Sequence, residues 1–209
     1  MKTIVWDVDD VLNSLMRSWF EWAWLPAHPD CTIRYADITQ NPPHLVLGIT
    51  KAEYLDSLDL FRLSDQARLM EPNSDIVSWL RRYGDWFRHV ALTARPLDTV
   101  PPIAEWLFLH FGAYIRTFSV VPVRQAVHVP HYDQTKKEFL QWLNKADILV
   151  DDSQDNVESA NSIGIRGVLY PQPWNSCQLT VADTLNLISA VGVNEKEREE
   201  EFNGHDETR

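Results

Sequence analysis

The sequence predicts an α/β fold: a doubly wound, mainly parallel sheet with a small helical cap inserted after the first strand. Short apolar runs rich in β-branched residues alternate with segments whose apolar residues recur at a helical period, a pattern typical of parallel sheets covered by helices on both faces. From Pro26 onward prolines interrupt this pattern, and it is regular again from about residue 74. We therefore expect a core of residues 1–13 and 74–192 and a cap of residues 14–73.

The strands of the core are predicted from apolar runs that end in polar residues. The first covers residues 3–6 and leads directly into Asp7, which is typical of a buried strand with a polar carboxyl end. Ser74 is expected to cap a helix, and Thr135 with Glu138 forms a capping-box pattern at the start of another. Four further runs predict strands at residues 86–92, 117–123, 146–150 and 167–170. Helical periodicity predicts helices at residues 12–24, 51–58, 65–70, 74–82, 103–111 and 154–162.

The composition excludes several classes of protein. A net charge of −11 argues against nucleic acid or an anionic membrane as a partner, because phosphate groups repel such a surface. Part of this charge lies in residues 193–209, an acidic segment without apolar periodicity that is predicted to be a disordered tail. Two isolated cysteines, Cys31 and Cys177, indicate no disulfide framework, and no apolar run is long enough to span a membrane. We expect a soluble cytoplasmic protein, either a monomer or a homodimer.

Polar side chains follow three of the predicted strands at the point where each strand ends. Because the carboxyl ends of parallel strands meet at one edge of a sheet, we expect these side chains to converge. Carboxylates gathered in this way repel one another unless a cation neutralises them, and a set of oxygen ligands favours Mg²⁺. The side chains at the strand ends are Asp7, Asp9, Asp10, Thr93, Arg95, Asp151 and Asp152.

This set of groups suits phosphoryl transfer. A carboxylate such as Asp7 can form a covalent aspartyl-phosphate, and a second carboxylate two residues later, Asp9, can protonate the leaving oxygen and then activate water. A hydroxyl such as Thr93 and an ammonium such as Lys136 can hold the other phosphate oxygens. A divalent cation would screen the repulsion between nucleophile and phosphate.

Four motifs, in order along residues 1–170, resemble those of the haloacid dehalogenase superfamily. Residues 5–11, Val-Trp-Asp-Val-Asp-Asp-Val, are similar to its first motif, and residues 90–93, Val-Ala-Leu-Thr, to its second. Lys136 at a helix start is similar to the third motif, and residues 148–152, Ile-Leu-Val-Asp-Asp, to the fourth. The resemblance implies a Rossmann-like core with a cap, and a phosphatase.

The resemblance also implies a role for each matching residue. Asp7 would be nucleophile and metal ligand, and Asp9 would be acid/base and offer its backbone carbonyl to the metal. Asp10 departs from the family pattern, since glycine is common there, and receives no role. Mg²⁺ would be bound by Asp7, Asp9 and Asp152 with support from Asp151, and phosphate by Thr93 and Lys136, with Ala94 and Arg95 as further candidates for substrate binding.

Finer details resemble the 5′(3′)-deoxyribonucleotidase-like branch of that superfamily. They are the strings at residues 93–96 and 171–175, and the paired Asp151 and Asp152. This resemblance implies a small phosphorylated metabolite as substrate, with a nucleoside 5′-monophosphate as the leading candidate. A sugar phosphate or other small metabolite is the first alternative, and a non-catalytic binding protein of the same fold is the second.

Several assignments stay open at the level of sequence. Chemistry does not separate Lys136 from Lys137; Lys136 is preferred because the apolar residues that follow it then lie on the core face of the helix. Arg95 either contacts substrate phosphate or pairs with a nearby acid. In three further cases the first interpretation is favoured: His128 and His131 as loop residues over metal ligands, Trp19, Trp22 and Trp24 as cap core over a base-stacking platform, and Asp155 and Asn156 as a helix start over supports for the metal site.

Overall fold

A computed structural model describes residues 1–124, 130 and 132–204, and the side chains of those up to residue 192. Its centre is one five-stranded sheet in the order β3-β2-β1-β4-β5, in which every pairing is parallel. The predicted doubly wound α/β fold is therefore confirmed. The strands are β1 (Lys2–Asp7), β2 (Phe87–Arg95), β3 (Ile115–Pro122), β4 (Ile148–Asp151) and β5 (Arg166–Leu169).

The first strand shows how the sheet separates two apolar layers. Successive side chains of a strand point to opposite faces, and here Ile4 and Trp6 belong to one buried cluster while Val5 belongs to another. The helices of the first layer are α5 (Ser74–Tyr83), α6 (Val100–Phe111) and α9 (Val181–Gly204). The helices of the second layer are α7 (Lys136–Leu143) and α8 (Gln154–Asn161).

Between β1 and α5 the chain forms a smaller helical unit with its own buried cluster. This cluster draws its fully buried residues from positions 15 to 70, within the stretch that the sequence assigns to the cap. Trp19 and Trp24 lie inside it, and Trp19 Nε1 donates to Ser57 Oγ at 3.0 Å. Both therefore serve as cap core, whereas Trp22 is partly exposed. The helices are α1 (Leu15–Trp19), α2 (Leu25–Ala27), α3 (Lys51–Arg62) and α4 (Asp65–Arg68), with a π-helical turn at Phe20–Trp24.

Some predicted boundaries are wrong for identifiable reasons. The helix expected at residues 12–24 begins only at Leu15. Asp10 adopts a left-handed backbone conformation with φ 62°, so the segment between β1 and α1 is not regular α-helix. The N-cap residue of helix α5 is Asn73 and not Ser74, because the Asn73 side chain accepts hydrogen bonds from the backbone N–H groups of Asp75 and Ile76.

The last element among the described residues is a long helix. α9 runs Val181–Gly204, so its backbone is helical past residue 192, where the sequence predicts disorder to begin. The side chains of this last part lie outside those described. Among the described residues, no helix combines the length and the apolar content needed to cross a membrane.

Candidate active site

Three carboxylates meet at the carboxyl edge of the sheet. Asp7 ends β1 and Asp151 ends the neighbouring β4, and the parallel register that pairs Trp6 with Val150 places these two acids side by side. Asp152 follows directly. One oxygen from each of the three acids lies within 4.8 Å of the other two, and all three residues are buried. This spacing is suited to a single shared cation.

Lys136 neutralises part of this negative charge. Its ammonium, at the start of α7, lies 2.7 Å from Asp7 Oδ1 and 2.7 Å from Asp151 Oδ2. Thr135 begins the helix by accepting from the backbone N–H of Glu138, which fixes the lysine in the first turn facing the sheet edge. The structure thus places Lys136 at the site, while Lys137 reaches Ser162 Oγ at 3.0 Å on the surface.

Hydrogen bonds orient the two acids at the end of β4, Asp151 and Asp152. Asn156 in α8 donates its side-chain N–H to both oxygens of Asp151, at 3.1 and 3.2 Å. Trp174, in the segment after β5, donates its indole N–H to Asp152 Oδ2 at 2.8 Å. Asn156 therefore supports the site, which corrects its favoured interpretation as a helix start only; Asp155 beside it is exposed.

Asp9 is bound by two arginines. Arg95, at the end of β2, reaches its two oxygens at 2.5 and 2.7 Å, and Arg62, at the end of the cap helix α3, reaches Oδ2 at 3.2 Å. Arg95 also donates to the Thr99 carbonyl at 3.1 Å and is almost fully buried. Of the two alternatives for Arg95, the structure shows the pairing with an acid.

Asp10, which receives no role from the sequence, has a structural role in the loop after β1. Its Oδ1 accepts from the backbone N–H of Met16 at 2.8 Å, and its carbonyl accepts from the side chain of Gln172 at 2.5 Å. Its φ of 62° lies in the left-handed region, where glycine has no steric penalty. Asp10 thus caps the first turn of α1 and ties the β1 loop to the segment after β5.

A cavity of about 180 Å³ opens beside these groups. Thr93 lines it from the end of β2, and its buried hydroxyl has no hydrogen-bond partner within the described part of the chain. Because a buried unpaired hydroxyl is unfavourable, this atom is suited to a ligand oxygen. Ala94 lines the cavity on the core side. The cap contributes Leu15, Met16, Asn41, Tyr54, Leu58 and Arg62 to the lining.

The electrostatics differ between the acids. Burial and the charges of Asp151 and Asp152 raise the pKa of Asp7, although Lys136 opposes the shift. Burial and the charge of Asp151 raise the pKa of Asp152 to about 7. The pKa of Asp9 is instead lowered to about 2, because Arg95 and Arg62 together outweigh the burial of its carboxyl group. The site therefore combines one strongly ionised carboxylate with a cluster that favours an added positive charge.

The comparisons with known proteins concern the fold. No family model and no curated protein matches the chain. Among solved structures, a haloacid dehalogenase-like hydrolase from Streptococcus pneumoniae is similar at 15% identity and a TM-score of 0.58, covering 89% of this chain and 90% of that one. The fold is that of haloacid dehalogenase-like hydrolases.

Two further solved structures have the same fold. A haloacid dehalogenase-like protein of unknown function from Agrobacterium tumefaciens is 11% identical with a TM-score of 0.57, covering 93% of this chain and 99% of that one. A haloacid dehalogenase-like hydrolase from Xanthomonas campestris is 13% identical with a TM-score of 0.52, covering 93% and 98%. At such low identity these likenesses establish a shared fold, and the activity must be argued from the site.

Sequence reasoning missed two residues of this site. Arg62 lies in the irregular cap, where no strand end marks its position, and only the packing of α3 brings it to Asp9. Trp174 lies within the string at residues 171–175, and an indole between proline and asparagine after the last strand is the local signal that points to it. His128 and His131 lie outside the described residues.

Proposed function

We propose that the protein is a Mg²⁺-dependent phosphomonoester hydrolase that acts through an aspartyl-phosphate on Asp7. The observation that carries this proposal is the convergence of Asp7, Asp151 and Asp152 around one point. Lys136 bridges two of these acids, and the unpaired hydroxyl of Thr93 lies at the same cavity. Together they provide a nucleophile and donors for phosphate oxygens.

The donor set fits Mg²⁺. It consists of buried carboxylate oxygens, which are hard ligands, and burial together with the neighbouring acids raises the pKa values of Asp7 and Asp152, an effect that a bound cation would oppose. Asp7 and Asp152 would hold the ion, with the backbone carbonyl of Asp9 and the supporting Asp151. When bound, the ion would reduce the repulsion between the nucleophilic carboxylate and the phosphate.

In the first step an oxygen of Asp7 attacks phosphorus, and the bond from phosphorus to the leaving oxygen breaks. The leaving oxygen takes a proton from the carboxyl group of Asp9. Lys136 and Thr93 hold phosphate oxygens while their negative charge is redistributed. In the second step Asp9 accepts a proton from water, the water oxygen attacks phosphorus, the bond to Asp7 breaks and phosphate is released.

The two arginines bound to Asp9 affect its protonation state in both steps. With Arg62 and Arg95 bound, its pKa of about 2 keeps the carboxylate ionised, which suits proton acceptance from water. Donation in the first step requires that Asp9 first gains a proton. Because Arg62 belongs to the cap, we expect that separation of Arg62 from Asp9 favours the protonated state.

For the substrate we propose a nucleoside 5′-monophosphate. On its cap side the cavity is lined by a tyrosine, a methionine and two leucines next to Arg62 and Asn41, a mixture of apolar and polar groups compatible with a nucleoside. A panel of nucleoside monophosphates and sugar phosphates compared by kcat/KM tests this. Equal or better turnover of sugar phosphates would exclude the nucleotide preference and leave the reaction type intact.

The reaction type is tested with a generic aryl phosphate. Wild-type protein is expected to release phosphate with Mg²⁺ and not with excess chelator, and Asp7→Asn should lower kcat by about 10⁴-fold or more, because the amide cannot act as the nucleophile. The exposed Asp155 provides the control Asp155→Asn, which should retain activity. Equal rates in wild type and Asp7→Asn would exclude the proposed mechanism.

A further inference from the structure

The segment that follows β5 contacts the candidate active site from outside the sheet edge. Gln172 donates its side-chain N–H to the Asp10 carbonyl at 2.5 Å, and Asn175 donates to the carbonyls of Asp152 and Tyr170 at 2.9 and 2.8 Å. Both loops of the site, after β1 and after β4, are thus fastened to this segment. Gln172 and Asn175 therefore hold this segment against the site.

Trp174 lies between these two anchors. Its indole Nε1 donates to Asp152 Oδ2 at 2.8 Å, a charge-assisted hydrogen bond to a carboxylate that is itself buried. A carboxylate held at one oxygen by a fixed donor has a defined orientation and keeps its second oxygen for another partner.

The other side of the Trp174 ring contacts the cap. Trp174 packs against the cap cluster, with its ring edge-to-face with Tyr35 at 6.4 Å between centroids. The guanidinium of Arg17 lies 4.6 Å from the Tyr35 ring centroid on the cap side. Trp174 is therefore half-buried between a cap aromatic residue and a core carboxylate, so its orientation depends on both parts of the molecule.

We infer that Trp174 is a positioning residue for the divalent cation: its indole orients Asp152 for the ion, and Tyr35 of the cap keeps the indole in place. This inference rests on the proposed function. Donors to metal-ligating carboxylates set the geometry of the ligand, and removing such a donor weakens metal affinity by about 10–100-fold. Trp174 itself contacts no reacting atom in this scheme.

The test is Mg²⁺ binding measured by titration calorimetry on the full chain. Trp174→Phe keeps an aromatic ring but lacks the N–H donor, and should weaken Mg²⁺ affinity by at least about tenfold. Trp142→Phe is the matched control, because Trp142 is 71% exposed on α7, and it should bind as wild type does. Tyr35→Leu should weaken binding by a smaller factor, and unchanged binding in this variant would overturn the contribution of the cap.

A second readout does not require a variant to fold. In protein labelled with 5-fluorotryptophan, the ¹⁹F resonance of Trp174 should shift on addition of Mg²⁺, while that of Trp142 should not. If wild type binds Mg²⁺ and Trp174→Phe binds it equally well, or the Trp174 resonance does not move, the inference is wrong and the proposed function stands. If wild type binds no Mg²⁺, the proposed function is wrong and this inference with it.

Discussion

The core edge of the sheet and the cap line the same cavity, but they do so by different means. The core residues Asp7 and Thr93 line the cavity from strand ends whose hydrogen-bond register fixes their spacing, and the same register places Asp151 beside Asp7. The cap residues Tyr54 and Arg62 come from one helix, α3, whose position depends on side-chain packing. Under the proposed function we therefore expect the core edge to carry the chemistry and the cap to modulate it.

The largest expected effect tests the charge balance of the core edge. Lys136→Met removes the ammonium between Asp7 and Asp151 and leaves two buried carboxylates without their partner. We expect the free energy of unfolding to fall by about 3–5 kcal/mol near neutral pH, with loss of phosphatase activity. Urea unfolding measures the stability, and Lys137→Met is the control that should change neither. Unchanged stability in Lys136→Met would show that the pairing is unimportant.

The next effect separates catalysis from stability within the core edge. Thr93→Val removes a buried hydroxyl that has no partner among the described residues, so stability should stay unchanged while kcat falls by about 10²-fold. Thr99→Val is a matched change, because the Thr99 hydroxyl donates to the Pro96 carbonyl at 2.8 Å. That variant should lose about 1 kcal/mol of stability and keep its activity. A loss of stability with unchanged kcat in Thr93→Val would contradict a phosphate-binding role for Thr93.

A smaller effect measures how far the cap acts on the core. Arg62→Met removes one of the two guanidinium groups bound to Asp9, so the pKa of Asp9 should rise from about 2. The ¹³C resonance of the Asp9 carboxyl group, followed through a pH titration, reports this change directly. Arg68→Met in α4 is the control, since Arg68 pairs with Glu105 on the surface. An unchanged Asp9 titration would show that the cap does not influence the acid/base group.

The smallest expected effect is a dependence of stability on pH. The raised pKa of Asp152, about 7, means that stability without Mg²⁺ falls as pH rises from about 4 to about 7, because the folded state retains a proton that the unfolded state has lost. The lowered pKa of Asp9 acts in the opposite sense, since its stabilisation is lost only as pH falls through about 2.

Mg²⁺ should therefore raise the melting temperature by a few degrees more at about pH 8 than at about pH 6. Thermal unfolding with Mg²⁺ or with chelator at each pH measures this difference. Ca²⁺, which prefers more ligands at longer distances, is a suitable comparison ion. A melting temperature that responds equally at both pH values would contradict the protonation of this cluster.

The sequence predicted the core edge well because strand ends leave a readable signal. A short β-branched run that ends in Asp7, within a chain of alternating strands and helices, predicts that acid at the carboxyl edge of a parallel sheet, and the same reasoning applies to Thr93 and Asp151. The choice of Lys136 over Lys137 followed from the apolar face of α7, and the structure places Lys136 at the site.

Other features depended on contacts between residues far apart in the chain. The pairing of Arg95 with Asp9 joins β2 to the loop after β1, and the pairing of Arg62 with Asp9 joins the cap to the core. The start of α1 at Leu15 reflects the left-handed backbone of Asp10, which its contacts to Met16 and Gln172 stabilise. No local pattern identifies such partners.

Periodicity and strand-end polarity are local properties, so residue order alone was enough to infer the parallel sheet and the meeting of its acids at one edge. Which hydrogen-bond donor faces which acid does not follow from residue order. It depends on the packing of α3 and on the segment after β5, which bring Arg62 and Trp174 to Asp9 and Asp152 across 53 and 22 positions of the chain. Such contacts arise only when the apolar clusters of cap and core close, because burial then decides which polar groups must find partners.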